Sequence, residues 1–201
     1  EVAHGVLKGV GERGGRAALP CGLRETYASE AILQRGGSCA RRIFQLGGRS
    51  TIVAHVRVYL DVCCLKRPFD SLDDAMVRLE AEAVASILVL PSERITLVRS
   101  GAQRLENSLD PVRWRREAVA AWLDESPPEA VAEAELMRRT SELIAAGFKS
   151  FDAFHLATAE MCADVFVTVD QRLKRRAATS ALHLRVVSPI ALLEEVSVWK
   201  T

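Results

Sequence analysis

The spacing of hydrophobic positions changes from one segment to the next along most of the chain, and each change predicts an element. VRVYL (56–60) alternates and is rich in β-branched and aromatic residues, which predicts a strand ending at Asp61. Met76, Leu79, Ala83, Ile87 and Leu90 then recur in steps of three and four. That period predicts a helix from about Asp73 to Leu90 with one buried face, stopped by Pro91. ITLVR (95–99) reads as a second strand, and a brief helix carrying Glu106 follows it. Asp110 and Pro111 have the chemistry of an N-cap and a first helical position, and Pro127 and Pro128 end the helix they launch. Ala130, Ala134, Met137, Ser141 and Ile144 repeat the helical step, with Gly147 as the glycine that closes the helix. A helix from Phe151, the strand VFVTV (165–169), a short basic helix, the strand LRVV (184–187) and a helix after Pro189 complete the series. Strands alternating with helices predict an α/β fold, a parallel sheet covered by helices on both faces.

Residues 1–55 carry no sustained helical or strand period. Ten of the twelve glycines lie between Gly5 and Gly48, among arginines, and this shift in composition places a boundary at residues 51–56. The first methionine is Met76, so Glu1 is not an ordinary start. The expectation is a domain at 56–201 preceded by a Gly/Arg-rich extension, 1–55, that is disordered or translated from an upstream stretch. A length of 201 residues suits one ordinary domain plus such an extension. GVGERG (9–14) satisfies G-x-G-x-x-G, but Gly15 and Pro20 interrupt the segment where a helix must follow, so it is read as a decoy for dinucleotide binding.

With 49% hydrophobic residues the chain can build a core, and it contains no uninterrupted apolar run of the length a membrane span needs. The N-terminal stretch has a lone Lys8 and no apolar segment suited to a signal peptide, so a cytoplasmic protein that does not enter a membrane is expected. Cysteines at 21, 39, 63, 64 and 162 lack C-x-x-C spacing, which favours reduced thiols over zinc or a disulfide framework. The net charge is +1, but residues 1–50 hold eight basic and four acidic residues against 19 and 22 in the remainder. RNA binding by the domain proper therefore requires a local basic rim and metal ions rather than bulk electrostatics.

The candidate chemistry lies in four acidic residues. Asp61 ends VRVYLD, Glu106 sits in SGAQRLEN, Asp152 opens DAFHLATA and Asp170 closes DVFVTVD. Ligand sites of parallel α/β sheets form outside the carboxyl ends of strands. Four carboxylates gathered there repel one another unless a cation holds them, and hard oxygen ligands favour Mg²⁺ or Mn²⁺ over zinc. Each also has a structural role open to it. Asp152 suits a helix macrodipole, Glu106 a solvated helix face, and Asp61 and Asp170 the turns after strands. His155, three residues after Asp152, could complete a D-x-x-H chelate, although a packed or hydrogen-bonded histidine is the favoured reading. Among Asp70, Asp73 and Asp74, N-capping by Asp73 or Ser71 is expected, with a minor metal role for Asp70. Arg172 is a candidate for positioning a phosphate. Arg67, Arg113, Arg115, Arg116, Lys174, Arg175 and Arg176 read better as solvated faces.

In order and spacing these pieces resemble the PIN-domain ribonucleases, and within them the toxins of the VapC type. The resemblance runs from about Val56 to Val198 and rests on YLDVCCLKRPFD, RLEAEAV, SGAQRLEN, FDAFHLATAEMCADVFVTVDQRL and RVVSPIALL, with steps of 45, 46 and 18 between the four acidic residues. It implies a PIN-like three-layer α/β/α fold around a central parallel sheet of four to five strands. It also implies a metal-dependent endoribonuclease that leaves a 5′-phosphate and a 3′-hydroxyl. Asp61, Glu106, Asp152 and Asp170 would be the Mg²⁺ or Mn²⁺ ligands, and Thr168 would bond the attacking water or a phosphate oxygen. RNA as substrate, a cognate antitoxin and a homodimer are the partners so implied. Asn107 and Ser108 after Glu106, and Gln171 beside Asp170, depart from the pattern. They keep a second reading open, a catalytically silent PIN-like scaffold that binds RNA or protein.

Overall fold

The computed structural model describes residues 41–46, 49–90 and 95–198, with side chains from His55 to Val196. GVGERG and Cys21 and Cys39 lie outside the described residues. Within the expected extension, β1 (Arg41–Leu46) and β2 (Arg49–Ala54) pair antiparallel, Arg41 opposite Ala54. The sequence reading expected no strand there. The β-branched and aromatic residues of RRIFQL and RSTIVA, either side of Gly47-Gly48 in the sequence, form a hairpin signal that the glycine-rich average obscured.

From Val56 onward the expected alternation of strands and helices is found. In chain order it comprises β3 (Val56–Leu60), α1 (Val62–Lys66), a 3₁₀ turn (Arg67–Phe69), α2 (Ala75–Leu88), β4 (Ile95–Val98), α3 (Gly101–Ser108) and α4 (Arg113–Leu123). It continues with α5 (Glu133–Ala145), α6 (Ser150–Cys162), β5 (Val165–Val167), α7 (Gln171–Ala177), β6 (Arg185–Val187) and α8 (Pro189–Val198). The four strands β4-β3-β5-β6 lie side by side, all parallel. Because the chain winds outward from β3 to β4 on one side and then to β5 and β6 on the other, the order reverses beside β3. A crevice opens at the carboxyl ends of strands at such a point.

Strand alternation sorts the core into two layers. Val58 and Leu60 of β3 pack with Val84 and Ile87 of α2, Leu123 of α4 and Leu192 of α8. Tyr59 points to the other face, stacked on Phe166 with ring centroids 5.4 Å apart, among Leu136 and Leu143 of α5 and Leu156 of α6. Tyr59, Leu60, Phe166 and Leu156 are fully buried. Each large apolar side chain so buried stabilises the fold by about 1.5–3 kcal/mol.

Two helical faces differ from the sequence expectation. All five residues of the anticipated stripe, Ala130 to Ile144, are exposed, Ala130 lies ahead of α5, and the buried row of the helix is Leu136, Thr140 and Leu143. Both rows step by three and four, and the one with the bulkier leucines faces the sheet. On α2, Ala83 and Ile87 are buried as expected. Met76 and Leu79 are 55% and 52% exposed, while Glu80 is buried instead, its carboxylate 3.1 Å from Arg67 Nε.

The caps also shift. Asp74, not Asp73 or Ser71, caps α2 by accepting the Met76 and Val77 N–H groups, while Asp73 accepts from the Ser71 hydroxyl. Val112 occupies the N-cap of α4, with Asp110 upstream accepting its N–H at 2.9 Å. Gly147 closes α5 as expected, at φ +92°, which lets its N–H and that of Phe148 reach the Ile144 and Leu143 carbonyls.

Candidate metal centre

The register of β3 against β5 builds the first half of the site. Leu60 lies opposite Val167, so the next residues out, Asp61 and Thr168, emerge together, and the Asp61 N–H donates to the Val167 carbonyl at 2.9 Å. The Thr168 hydroxyl, fully buried, donates to Asp61 Oδ2 at 2.7 Å and accepts the Asp170 N–H at 3.1 Å. Its one proton is therefore engaged by Asp61. Cys63 adds a thiol donor to the same Oδ2 at 3.0 Å. Asp170 stands at the N-cap of α7, its Oδ1 accepting the Arg172 and Leu173 N–H groups at 2.6 and 3.1 Å.

The second half comes from two helices. Ser100 and Gln103 form a reciprocal capping box that starts α3, and Gln103 Nε2 donates to the Leu60 carbonyl at 2.6 Å, tying the helix to the end of β3. Glu106 follows one turn later. On α6, His155 is 1% exposed, with Nδ1 2.6 Å from the Tyr59 hydroxyl and Nε2 2.6 Å from Glu106 Oε2. That last approach is close but not aligned for a hydrogen bond. Ligand atoms of Asp61, Glu106 and His155 all lie within 4.8 Å of one another.

Electrostatics links the remaining carboxylates to these. Burial first, then the charges of Asp61, Asp170 and Glu106, push the Asp152 carboxyl above its ordinary value, against the pull of Lys149. Asp152 sits in the first turn of α6, where a helix dipole favours its anion, so burial and the neighbouring carboxylates together outweigh that dipole. Glu106 goes the other way. Burial acts to raise it, but His155, by contact and by charge, and Lys66 hold it below the usual value.

No family model matches the chain, and no curated protein does. Among solved structures, FitAcB from Neisseria gonorrhoeae is similar at 16% sequence identity, over 66% of this chain and 97% of that chain, with a TM-score of 0.40. A likeness of that degree leaves the fold to be argued from its own strands and the site from its own side chains.

The arginines near the site divide into internal anchors and solvent-facing groups. Asp110, wholly buried, takes Arg115 in a two-bond fork at 2.9 and 3.0 Å and Lys66 at 2.9 Å. These cations, Arg115 foremost, hold its carboxyl well below the usual carboxylate range. Arg116 donates to the Asp110 carbonyl, Arg67 pairs with Asp70 and Glu80, and Arg113 pairs with Glu117. Arg115, Arg116 and Arg67 are thus structural rather than solvated faces. Arg172 and Arg175 of α7, beside Asp170, are exposed and form no ion pair with a described residue. Away from the carboxylates, a shallow depression between α5 and α6 is lined by Arg138, Arg139, Glu142 and Glu160, whose charges already pair with one another.

Sequence reasoning passed over Tyr59 and Cys63 and left His155 as a packed histidine. The signal for His155 was its D-x-x-H spacing, but its contact with Glu106 depends on how α6 lies against α3, which no local pattern encodes. Asp61, Glu106 and His155 supply hard oxygens and an imidazole around one point. The unaligned, buried Nε2 and the raised Asp152 carboxyl both fit a site completed by a divalent cation.

Proposed function

We propose that this chain is a metal-dependent endoribonuclease of the PIN type, acting as the toxin of a VapBC-type toxin–antitoxin pair. The observation that carries the reading is the convergence of Asp61, just past β3, with Glu106 of α3 and His155 of α6, whose ligand atoms lie within 4.8 Å of one another, while the charges of Asp61, Asp170 and Glu106 reach Asp152. Together with the motif order from Val56 to Val198, it supports Asp61, Glu106, Asp152 and Asp170 as the residues that hold Mg²⁺ or Mn²⁺. Such an ion, when bound, supplies Lewis-acid stabilisation of charge on a phosphoryl group and acidifies water.

The chain's own residues do the rest. Thr168 and Cys63 fix the Asp61 carboxylate by donating to Oδ2. The Thr168 hydroxyl also takes the Asp170 N–H, so one side chain sets the geometry of two candidate ligands. The amides at the start of α7 hold Asp170 in turn. Arg172 and Arg175 offer exposed cations to an RNA phosphate, which positions a backbone without reading sequence. With aromatics at only 5% of the chain, shape at a loop or an unpaired strand is the better basis for selection than base stacking. A cognate antitoxin whose basic tail enters the acidic crevice, and a homodimer, complete the reading.

The test is cleavage of a panel of structured RNAs by the full chain in Mn²⁺ or Mg²⁺ against EDTA, beside Asp61→Asn and Asp152→Asn. Cutting that needs the cation, leaves 5′-phosphate ends and is lost in both variants is the expected result. A folded protein that cuts none of the RNAs with either metal and binds no divalent ion would overturn the enzyme reading and favour the scaffold.

A further inference from the structure

The carboxylates alone would make a hard, all-oxygen site, yet a buried nitrogen is aimed into it. His155 is 1% exposed, and its Nε2 faces Glu106 Oε2 at 2.6 Å without an aligned hydrogen bond. The other ring nitrogen belongs to a chain of contacts. Nδ1 lies 2.6 Å from the Tyr59 hydroxyl, which lies 2.8 Å from Ser100 Oγ, which lies 3.3 Å from Gln103 Oε1. The orientation of the Gln103 amide is fixed at both ends. Its Nε2 donates to the Leu60 carbonyl, and its Oε1 accepts the Ser100 N–H at 2.8 Å. The chain therefore ends on an oxygen that can only accept.

In the one of the two directions open to this chain that ends on that acceptor, Nδ1 carries the imidazole hydrogen and donates to Tyr59. Nε2 then presents its lone pair beside a carboxylate oxygen 2.6 Å away, and a divalent cation bound by both from one side would hold the two acceptors together. A metal-bound histidine that donates its second ring N–H to an oxygen is the arrangement that fixes ring tautomer and orientation around metals. We propose that His155 Nε2 is a ligand, with Asp61 and Glu106, of a mixed nitrogen and oxygen centre that selects Mn²⁺ or another borderline transition ion over Mg²⁺. This rests on the reading above that a divalent cation sits at these carboxylates, and it changes which cation that is, since imidazole suits transition ions and Mg²⁺ keeps to oxygen.

Electron spin-echo envelope modulation on the Mn²⁺-loaded full chain tests the bond directly, because a coordinated imidazole nitrogen modulates the echo and a carboxylate does not. The expected result is ¹⁴N modulation that converts to the ¹⁵N pattern when the protein is made with ¹⁵N-histidine, a comparison that needs no substitution. In His155→Gln, checked for folding by circular dichroism, the modulation should vanish. The preference for Mn²⁺ over Mg²⁺ in competition titrations should also fall, with a loss of Mn²⁺ affinity of at least roughly ten- to a hundredfold, the cost of losing even an outer partner of a metal-bound histidine. Bound Mn²⁺ with no histidine nitrogen, or modulation unchanged in a folded His155→Gln, overturns the inference and leaves an all-carboxylate site standing. Failure to bind Mn²⁺ at all overturns both it and the reading beneath it.

Discussion

Replacing Asp152 by asparagine should make the metal-free protein more stable, although the substitution falls on a residue proposed to be essential. Asp152 carries a carboxyl raised by burial and by the charges of Asp61, Asp170 and Glu106. None of the described hydrogen bonds uses its side chain, so asparagine removes the charge and nearly nothing else. For scale, Asp61 and Glu106 ligand atoms lie within 4.8 Å, and two unit charges at that distance repel by about 3.5 kcal/mol at an effective dielectric constant of about 20, and by about 0.9 kcal/mol in bulk water. Asp152 is half-buried, so solvent screening keeps each of its repulsions near the lower figure. Against them stands a favourable term of about 0.3–1 kcal/mol from the dipole of α6.

The net gain expected for Asp152→Asn in EDTA at neutral pH is about 1–2 kcal/mol, or roughly 3–6 °C in Tm for a domain of this size. A raised folded-state pKa means that the repulsion is fully present at neutral pH. It is relieved as pH falls through that raised value, so the advantage of the variant should shrink on acidification and disappear below the ordinary aspartate pKa of about 3.9. Saturating divalent cation reverses the order. Wild type gains about 2.7 kcal/mol at a hundredfold excess over Kd, and a variant that cannot hold the ion gains almost none. Thermal unfolding followed by circular dichroism, with EDTA and with Mn²⁺, reads all of this. A fall in Tm for Asp152→Asn in EDTA, or a gain that persists undiminished at low pH, would refute the reasoning.

Asp110→Asn should have the opposite effect, destabilising by about 3–4 kcal/mol because Arg115 and Lys66 lose a wholly buried partner. The Asp110 carboxyl is lowered in the fold, so its stabilisation is present above about pH 4 and is lost as pH falls toward the folded value. Urea titrations between about pH 5 and pH 2 should therefore show a shallower acid loss in the variant than in wild type. On α5, Leu136→Ala should cost about 2–4 kcal/mol, whereas Met137→Ala, one position along and 54% exposed, should stay within about 0.5 kcal/mol of wild type in the same assay. Equal losses at the two positions would mean that the buried face has been misassigned.

The fold was legible in the sequence where an element carried two independent marks. β3 and β5 each combine a β-rich run with an acidic residue just beyond it, Asp61 directly and Asp170 three positions on, and α5 combines a helical period with Gly147. Helix orientation was not legible where two rows of one helix share the same period, as Leu136, Thr140 and Leu143 do with Met137, Ser141 and Ile144. Glu80 was hidden for a different reason. A carboxylate belongs on the wet face by composition, and only the approach of Arg67 from the preceding turn explains its burial. Asp61, Asp152 and Asp170 were visible because each sits just past a strand or near the start of a helix, and Glu106 through its place in SGAQRLEN. How they group was not, since the approach of His155 to Glu106 joins residues on helices whose separation in sequence gives no contact information. Asp110 shows both sides. Its place beside Pro111 marked a helix start, while its buried pairing with Lys66 and Arg115 draws on a helix earlier in the chain.

The central claim is that these carboxylates form a divalent-cation site. The most direct measurement is a calorimetric titration of Mn²⁺ into the full chain and into Asp61→Asn, whose amide oxygen can still accept from Thr168. Saturable binding by wild type that is lost or severely weakened in a folded variant is the predicted result. No saturable binding, or equal binding by both proteins, would contradict the account.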